Sequence, residues 1–187
     1  MNKKQLIVTS VLVSLMIILV ITQSLFKEKF EQVSINANGA NKSIGYNIED
    51  GYVISLPEKW NIEQEENEGE YISYTANFND NNKTAGTLYV INTDTDVKSF
   101  AERDLKNQTL EYSNLEMIPF KSKSYYGIQA KYDTSIKDGY KFKNTCYYLD
   151  LGNKKIAKIL FNCKSDGYNE NEKMVFDSII SSIEANK

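Results

Sequence analysis

The chain has 187 residues, a formal net charge of −3, two cysteines and no histidine. Without imidazole there is no Ser-His-Asp or Cys-His catalysis and no histidine metal site, so any general base is an Asp, Glu, Lys or Tyr. A mildly acidic chain also lacks the concentrated basic face that nucleic acid requires, and no nucleic-acid partner is expected.

The usage of Asn, Lys, Ile and Tyr, with only two prolines and nine glycines, is that of an AT-rich coding genome and favours a bacterial origin. Residues 1–5 carry Lys3 and Lys4 and are expected to be a cytoplasmic tip. Leu6 to Phe26 contains no charge. At about 1.5 Å per residue it spans a hydrocarbon core of about 30 Å as a helix, and it is expected to be a transmembrane signal anchor and the membrane contact. Cleavage of the same run as a secretory signal at Thr22 or Ser24 is the alternative, and a buried core helix fits poorly because the run is apolar all round. The first thirty residues hold no cysteine, so a lipid-modified cysteine is excluded there. The chain is therefore expected in the bacterial cytoplasmic membrane, single-pass, with its C-terminal part outside, or secreted after cleavage. Lys27 and Lys29 follow the apolar run and weaken the charge rule for this orientation. Residues 27–43 are polar and read as a tether, and 44–187 as the extracytoplasmic domain.

Within that domain, 51–56 alternates Tyr52, Ile54 and Leu56 with smaller residues and predicts a strand. Strands are also predicted at 70–79 and 84–92, with a turn at 79–83. The acidic run Glu63 to Glu70 reads as a solvated loop. Asp80, Asp94 and Asp96 do not have the alternating ligand spacing of a calcium loop, and no metal or cofactor is expected. Residues 95–113 carry a stripe of Val97, Phe100, Ala101, Leu105 and Tyr112 and predict a helix capped by Asp96 or by Ser99 with Glu102. Four more strands follow, at 115–123, 125–134, 140–151 and 155–163. Residues 156–161 are apolar at nearly every position, as a strand covered on both faces is. A last helix, capped by Asn169 and extending toward Asn186, carries Phe176, Ile179, Ile180 and Ile183 at i, i+3, i+4 and i+7. The expected class is α+β, an antiparallel sheet of about six to seven strands packed with two or more helices and preceded by one transmembrane helix.

The segment Gly51-Tyr52-x-Ile54-Ser55-x-Pro57-x-x-Trp60, with the closing pattern Phe176-x-Ser178-Ile179-x-x-Ser182-Ile183, resembles the PsbP-like superfamily over about 46–185. That superfamily also holds the Ran-binding import factors and many bacterial exported proteins. The resemblance implies an aromatic-rich strand ending in Pro-x-x-Trp, then a hairpin, a helix, several long strands and a final helix. It also implies an accessory role, since PsbP stabilises a photosynthetic complex and the import factors bind a small GTPase. Pro57 cannot extend a central ladder, so it is expected to end the first strand and turn the chain, which seats Trp60 in the core. Gly51, Tyr52, Pro57 and Trp60 are thus structural.

The remaining candidates are few. Cys146 and Cys163 lie on paired strands. A register summing to 309 places them opposite each other for a disulfide, whereas 307 makes them diagonal neighbours, too far apart; two reduced, buried thiols are the alternative. Tyr125, Tyr126, Tyr147 and Tyr148 are candidates for an aromatic binding surface, but tyrosine also suits strands generally and neighbours on a strand face opposite ways, so a structural role is the favoured reading. The expected function is a non-enzymatic, membrane-anchored binding or assembly module contacting another envelope protein. A small-ligand or glycan receptor using exposed tyrosines is the alternative, and a hydrolase with two converging carboxylates is a remote third.

Overall fold

The computed structural model describes residues 42–49, 51–65, 69–136 and 139–185. The expected cytoplasmic tip, the Leu6–Phe26 anchor and all but the last two residues of the tether lie outside them. Among the described residues no helix is long and apolar enough to cross a membrane.

The chain runs β1 (Ser43–Ile48), β2 (Tyr52–Pro57), β3 (Asn61–Glu65), β4 (Ile72–Asn79), β5 (Thr84–Asn92), α1 (Val97–Lys106), β6 (Tyr112–Lys121), β7 (Tyr126–Ser135), β8 (Lys141–Gly152), β9 (Lys155–Lys164), α2 (Glu170–Ser181) and β10 (Glu184–Ala185). These strands make two antiparallel sheets. Seven are in the larger, ordered β3-β4-β5-β9-β8-β7-β6, and three are in the smaller, ordered β1-β2-β10. The class is α+β, as expected, but the first predicted strand belongs to the small sheet. The corner from Pro57 to Trp60 is where the chain passes from one sheet to the other. The Trp60 N–H donates to the Pro57 carbonyl at 2.8 Å, and the indole stacks on Phe78 at 5.8 Å and meets Phe161 edge-on at 6.4 Å.

The small sheet and α2 share one face of the large sheet. Ile54, Leu56, Trp60, Phe78, Leu88, Tyr147, Phe161, Phe176 and Ile180 form a single core there. Phe161 lies flat against Phe176, ring centroids 4.2 Å apart. On the opposite face α1 lays Phe100, Ala101 and Leu105 over Ala130, Cys146 and Tyr148. β9 is the central strand and is covered on both sides, which accounts for its unbroken apolar run. Gly127 allows β7 to approach β8 closely, since a Cβ there would stand 1.9 Å from the Tyr148 carbonyl oxygen.

Several local readings are corrected. β1 and β3 are strands beyond those predicted, β1 despite its alternating Ile44, Tyr46 and Ile48 and β3 without any apolar pattern. β1 begins at Ser43, inside the expected tether, and buries fully only Ile48. β3 consists of Asn61-Ile-Glu-Gln-Glu, so the first part of the acidic run is an exposed edge strand and not a loop; its order comes from pairing with β4. α1 is capped by Asp96, whose carboxylate accepts from the Ser99 N–H at 3.0 Å. It ends at Lys106, so Tyr112 is not in its stripe but opens β6 and packs on Tyr132 at 5.6 Å. Thr109 and Tyr112 favour extended backbone, and Asn107 closes the helix. The last helix stops at Ser181. Ile183 remains fully buried beyond it, and the chain ends as a strand on β2.

Candidate functional site

Two neighbouring tyrosines on β8 show how the helices are fixed. Alternation points Tyr147 to the α2 face and Tyr148 to the α1 face, and both are fully buried. The Tyr147 hydroxyl donates to Asp177 of α2 at 2.6 Å, and the Tyr148 hydroxyl donates to Asp104 of α1 at 2.7 Å. The same Asp104 oxygen accepts Lys158 at 2.7 Å. Burial first raises both phenols far above the ordinary tyrosine range, followed by Asp177 at Tyr147 and by Cys146 and then Asp104 at Tyr148. These hydroxyls are donors that pin one helix to each face. The candidate surface of Tyr125, Tyr126, Tyr147 and Tyr148 therefore does not exist as a unit, because the second pair is core, as the structural reading of these tyrosines expects. Tyr125 is half-buried against Tyr52, with ring centroids 6.4 Å apart. Tyr126 alone is open, 65% exposed, with the Lys121 ammonium 4.9 Å from its ring.

The cysteines are not brought together either. The β8–β9 turn sets a register of 307 at Gly152↔Lys155, but a bulge between Asp150 and Gly152 moves the rest of the ladder to 306. A one-residue shift exchanges the two faces of a strand. Cys146 thus pairs with Leu160 and Cys163 with Lys143, on opposite faces of the sheet. Both thiols are free and buried, and no disulfide joins them. Burial pushes the Cys146 thiol up to about 12.

The acidic residues weighed as cation ligands are engaged locally. Asp80 accepts three backbone N–H groups, from Asn82, Lys83 and Thr84, at 2.8, 2.8 and 2.9 Å, which closes the 79–83 turn. Asp94 pairs with Lys154 at 2.7 Å, and Asp96 is the α1 cap.

What remains open is the stretch that carries β6 and β7 and leads into β8. Of the nine large apolar side chains exposed among the described residues, seven lie there, from Leu110 to Tyr140: Leu110, Tyr112, Leu115, Ile118, Tyr126, Ile136 and Tyr140. β6 is the edge of the large sheet.

Beside this edge is a cleft of about 220 Å³. Its charged lining is Glu116, Lys131, Asp133 and Lys143, and its hydroxyls come from Thr145 and Tyr168. The β6–β7–β8 register aligns these groups, with Glu116 opposite Lys131, Lys131 opposite Thr145, and Asp133 opposite Lys143. Asp133 accepts from Asn114 at 2.7 Å and from Lys143 at 2.9 Å. Burial opposes its ionisation, but those two hydrogen bonds and the charges of Lys143 and Lys141 outweigh burial, and its pKa falls below the ordinary value. Tyr168 is held neutral by burial, with Thr145 beside its hydroxyl.

Sequence reading missed Asp104, Asp177, Lys158 and the cleft. A signal existed for the first. Asp104 stands four residues after Phe100 and three after Ala101, a carboxylate on an apolar helical stripe, which requires a buried partner. The cleft has no such signal, because its residues come from three strands and a loop and meet only through register.

No protein-family model and no curated protein matches the chain. Among solved structures it is similar to the solution structure of cyanobacterial PsbP (CyanoP) from Synechocystis sp. PCC 6803, with a TM-score of 0.55 and 12% identity, covering 80% of this chain and 95% of that one. It is also similar to LpqN, involved in cell envelope biogenesis of Mycobacterium tuberculosis, with a TM-score of 0.48 and 12% identity over 78% of this chain and 91% of that one. At such identity the likeness is one of fold. The Pro57–Trp60 corner, the helix on each face of a long antiparallel sheet and the alignment with CyanoP agree: the domain that begins at Ser43 has the PsbP-like fold.

Proposed function

We propose that this protein is a membrane-anchored binding or assembly module of the bacterial envelope, held by Leu6–Phe26, which presents its folded domain outside the cytoplasmic membrane to another envelope protein. The observation that carries this reading is the run of exposed apolar side chains along the edge strand and the segment that leads into it, Leu110, Tyr112, Leu115 and Ile118. Scattered single exposures need no explanation, whereas a grouped set beside a polar cleft is the composition of a protein contact. The contact is made by side chains. Strand addition to the edge is disfavoured by Pro119 and by the register shift between Ser113 and Glu116, both of which blunt an edge.

Two alternatives are less well supported. A glycan receptor built on the four tyrosines loses Tyr147 and Tyr148 to the core. A carboxylate hydrolase has Glu116 and Asp133 in one cleft, yet a general acid needs a raised pKa, and that of Asp133 is lowered.

A photo-crosslinking residue at Leu115 or Ile118 of the full-length protein, irradiated in intact cells, is expected to capture one reproducible protein adduct. The same probe at Thr87, on the far half of the sheet, is expected to capture none. Equal capture at all three positions, or no adduct at Leu115 and Ile118, overturns this reading.

A further inference from the structure

We propose that the cleft beside β6 is a binding site for a small peptide zwitterion, taking its carboxylate at Lys131 and its ammonium at Glu116. This goes beyond the protein contact proposed for the neighbouring edge.

Three features of the geometry point to it. Glu116 and Lys131 occupy directly paired positions on β6 and β7, so their Cβ atoms are about 4.5–5.5 Å apart on one face. Among the described residues, neither of them forms an ion pair. The neighbouring pair on the same face, Asp133 and Lys143, is closed at 2.9 Å and further fixed by Asn114. The cleft thus contains one charge pair that is internally satisfied and a second whose two heads are free. An exposed Glu–Lys contact is weak in water, so a ligand that separates those heads displaces little.

The second feature is size. The cleft holds about 220 Å³ and is half open to solvent. That is room for a dipeptide of small residues. The third is the neutral lining. The buried Thr145 and the half-buried Tyr168 place hydroxyls in the same cleft, donors and acceptors for a peptide group lying between the two charged ends. A purely anionic ligand meets Glu116 and a purely cationic one meets Lys131. Only a molecule carrying both charges satisfies both residues.

The test is titration calorimetry of the full-length chain in nonionic detergent with three probes: alanyl-alanine, its N-acetyl derivative and its C-terminal amide. Alanyl-alanine is expected to bind with a Kd of about 1 mM, and each blocked form at least about tenfold more weakly. Glu116→Gln on the exposed edge strand and Lys131→Gln, half-buried on the next strand, are expected to keep the wild-type circular dichroism spectrum and to weaken alanyl-alanine by about tenfold each. Absence of heat with alanyl-alanine, equal affinity for the blocked forms, or full affinity in both variants overturns the assignment. Crosslinking at Leu115 and Ile118 reports on the protein contact and leaves this result unaffected.

Discussion

Trp60→Ala removes the indole that anchors the corner between the two sheets to the large sheet. The indole is 8% exposed, stacked on Phe78 and edge-on to Phe161, which is itself stacked on Phe176 of α2. Two aromatic pairs contribute about 0.5–1.5 kcal/mol each beyond area burial, and a buried Trp replaced by Ala costs about 3–5 kcal/mol in all. The wall around it cannot collapse into the space, because Pro57 fixes the corner on one side and the β4–β5–β9 ladder fixes Phe78 and Phe161 on the other. With an m-value of about 2 kcal/mol/M in urea, the midpoint falls by about 2 M. Trp60 is the only tryptophan, so unfolding of the full chain is followed by far-UV circular dichroism in both proteins. Trp60→Phe keeps a ring on Phe78 and is expected to lose about 1–2 kcal/mol. A loss below about 1 kcal/mol for Trp60→Ala, the value of an ordinary surface change, refutes the claim that this residue anchors the corner in the core.

Gly127→Ala is expected to destabilise by about 2 kcal/mol or more, because its Cβ would stand 1.9 Å from the Tyr148 carbonyl oxygen, and backbone cannot move aside as a side chain can; a wild-type thermal midpoint refutes this. Glu172 has its pKa raised by burial and by Asp80, against the opposing effects of Lys83 and Thr84. A raised folded pKa means that its contribution is complete below the ordinary Glu range near about 4.3 and is lost as pH rises through the raised value. Glu172→Gln is therefore expected to be more stable than wild type at pH 7 and equal to it at about pH 4 or below, and a gain that ignores pH contradicts the assignment. Cys146 and Cys163 are expected to react as two thiols in denatured, unreduced protein and only slowly in the native state, since both are buried; a thiol count of zero after denaturation contradicts the register.

The sequence by itself determined what depends on short-range periodicity and on chain chemistry. β4, β5, β7, β8 and β9 announce themselves by apolar alternation or by an unbroken apolar run. The helices announce themselves through caps at Asp96 and Asn169 and stripes through Phe100 and Phe176. The lack of histidine removed whole classes of chemistry before any fold was known. The Pro-x-x-Trp segment was legible as a corner because proline constrains the backbone wherever it occurs. Tertiary structure alone decided the rest. β3 carries almost no apolar signal and is a strand only because β4 supplies its hydrogen bonds, whereas the alternation of Ile44, Tyr46 and Ile48 in β1 was present in the sequence and passed over. A bulge of one residue beside Gly152, invisible in composition, separated the cysteines. The parity of Tyr147 and Tyr148 could be read from the chain, but their burial depended on Asp177 and Asp104 arriving from two helices. The cleft of Glu116 and Lys131 exists because three strands align in one register, and register is set by contacts between residues far apart in the chain.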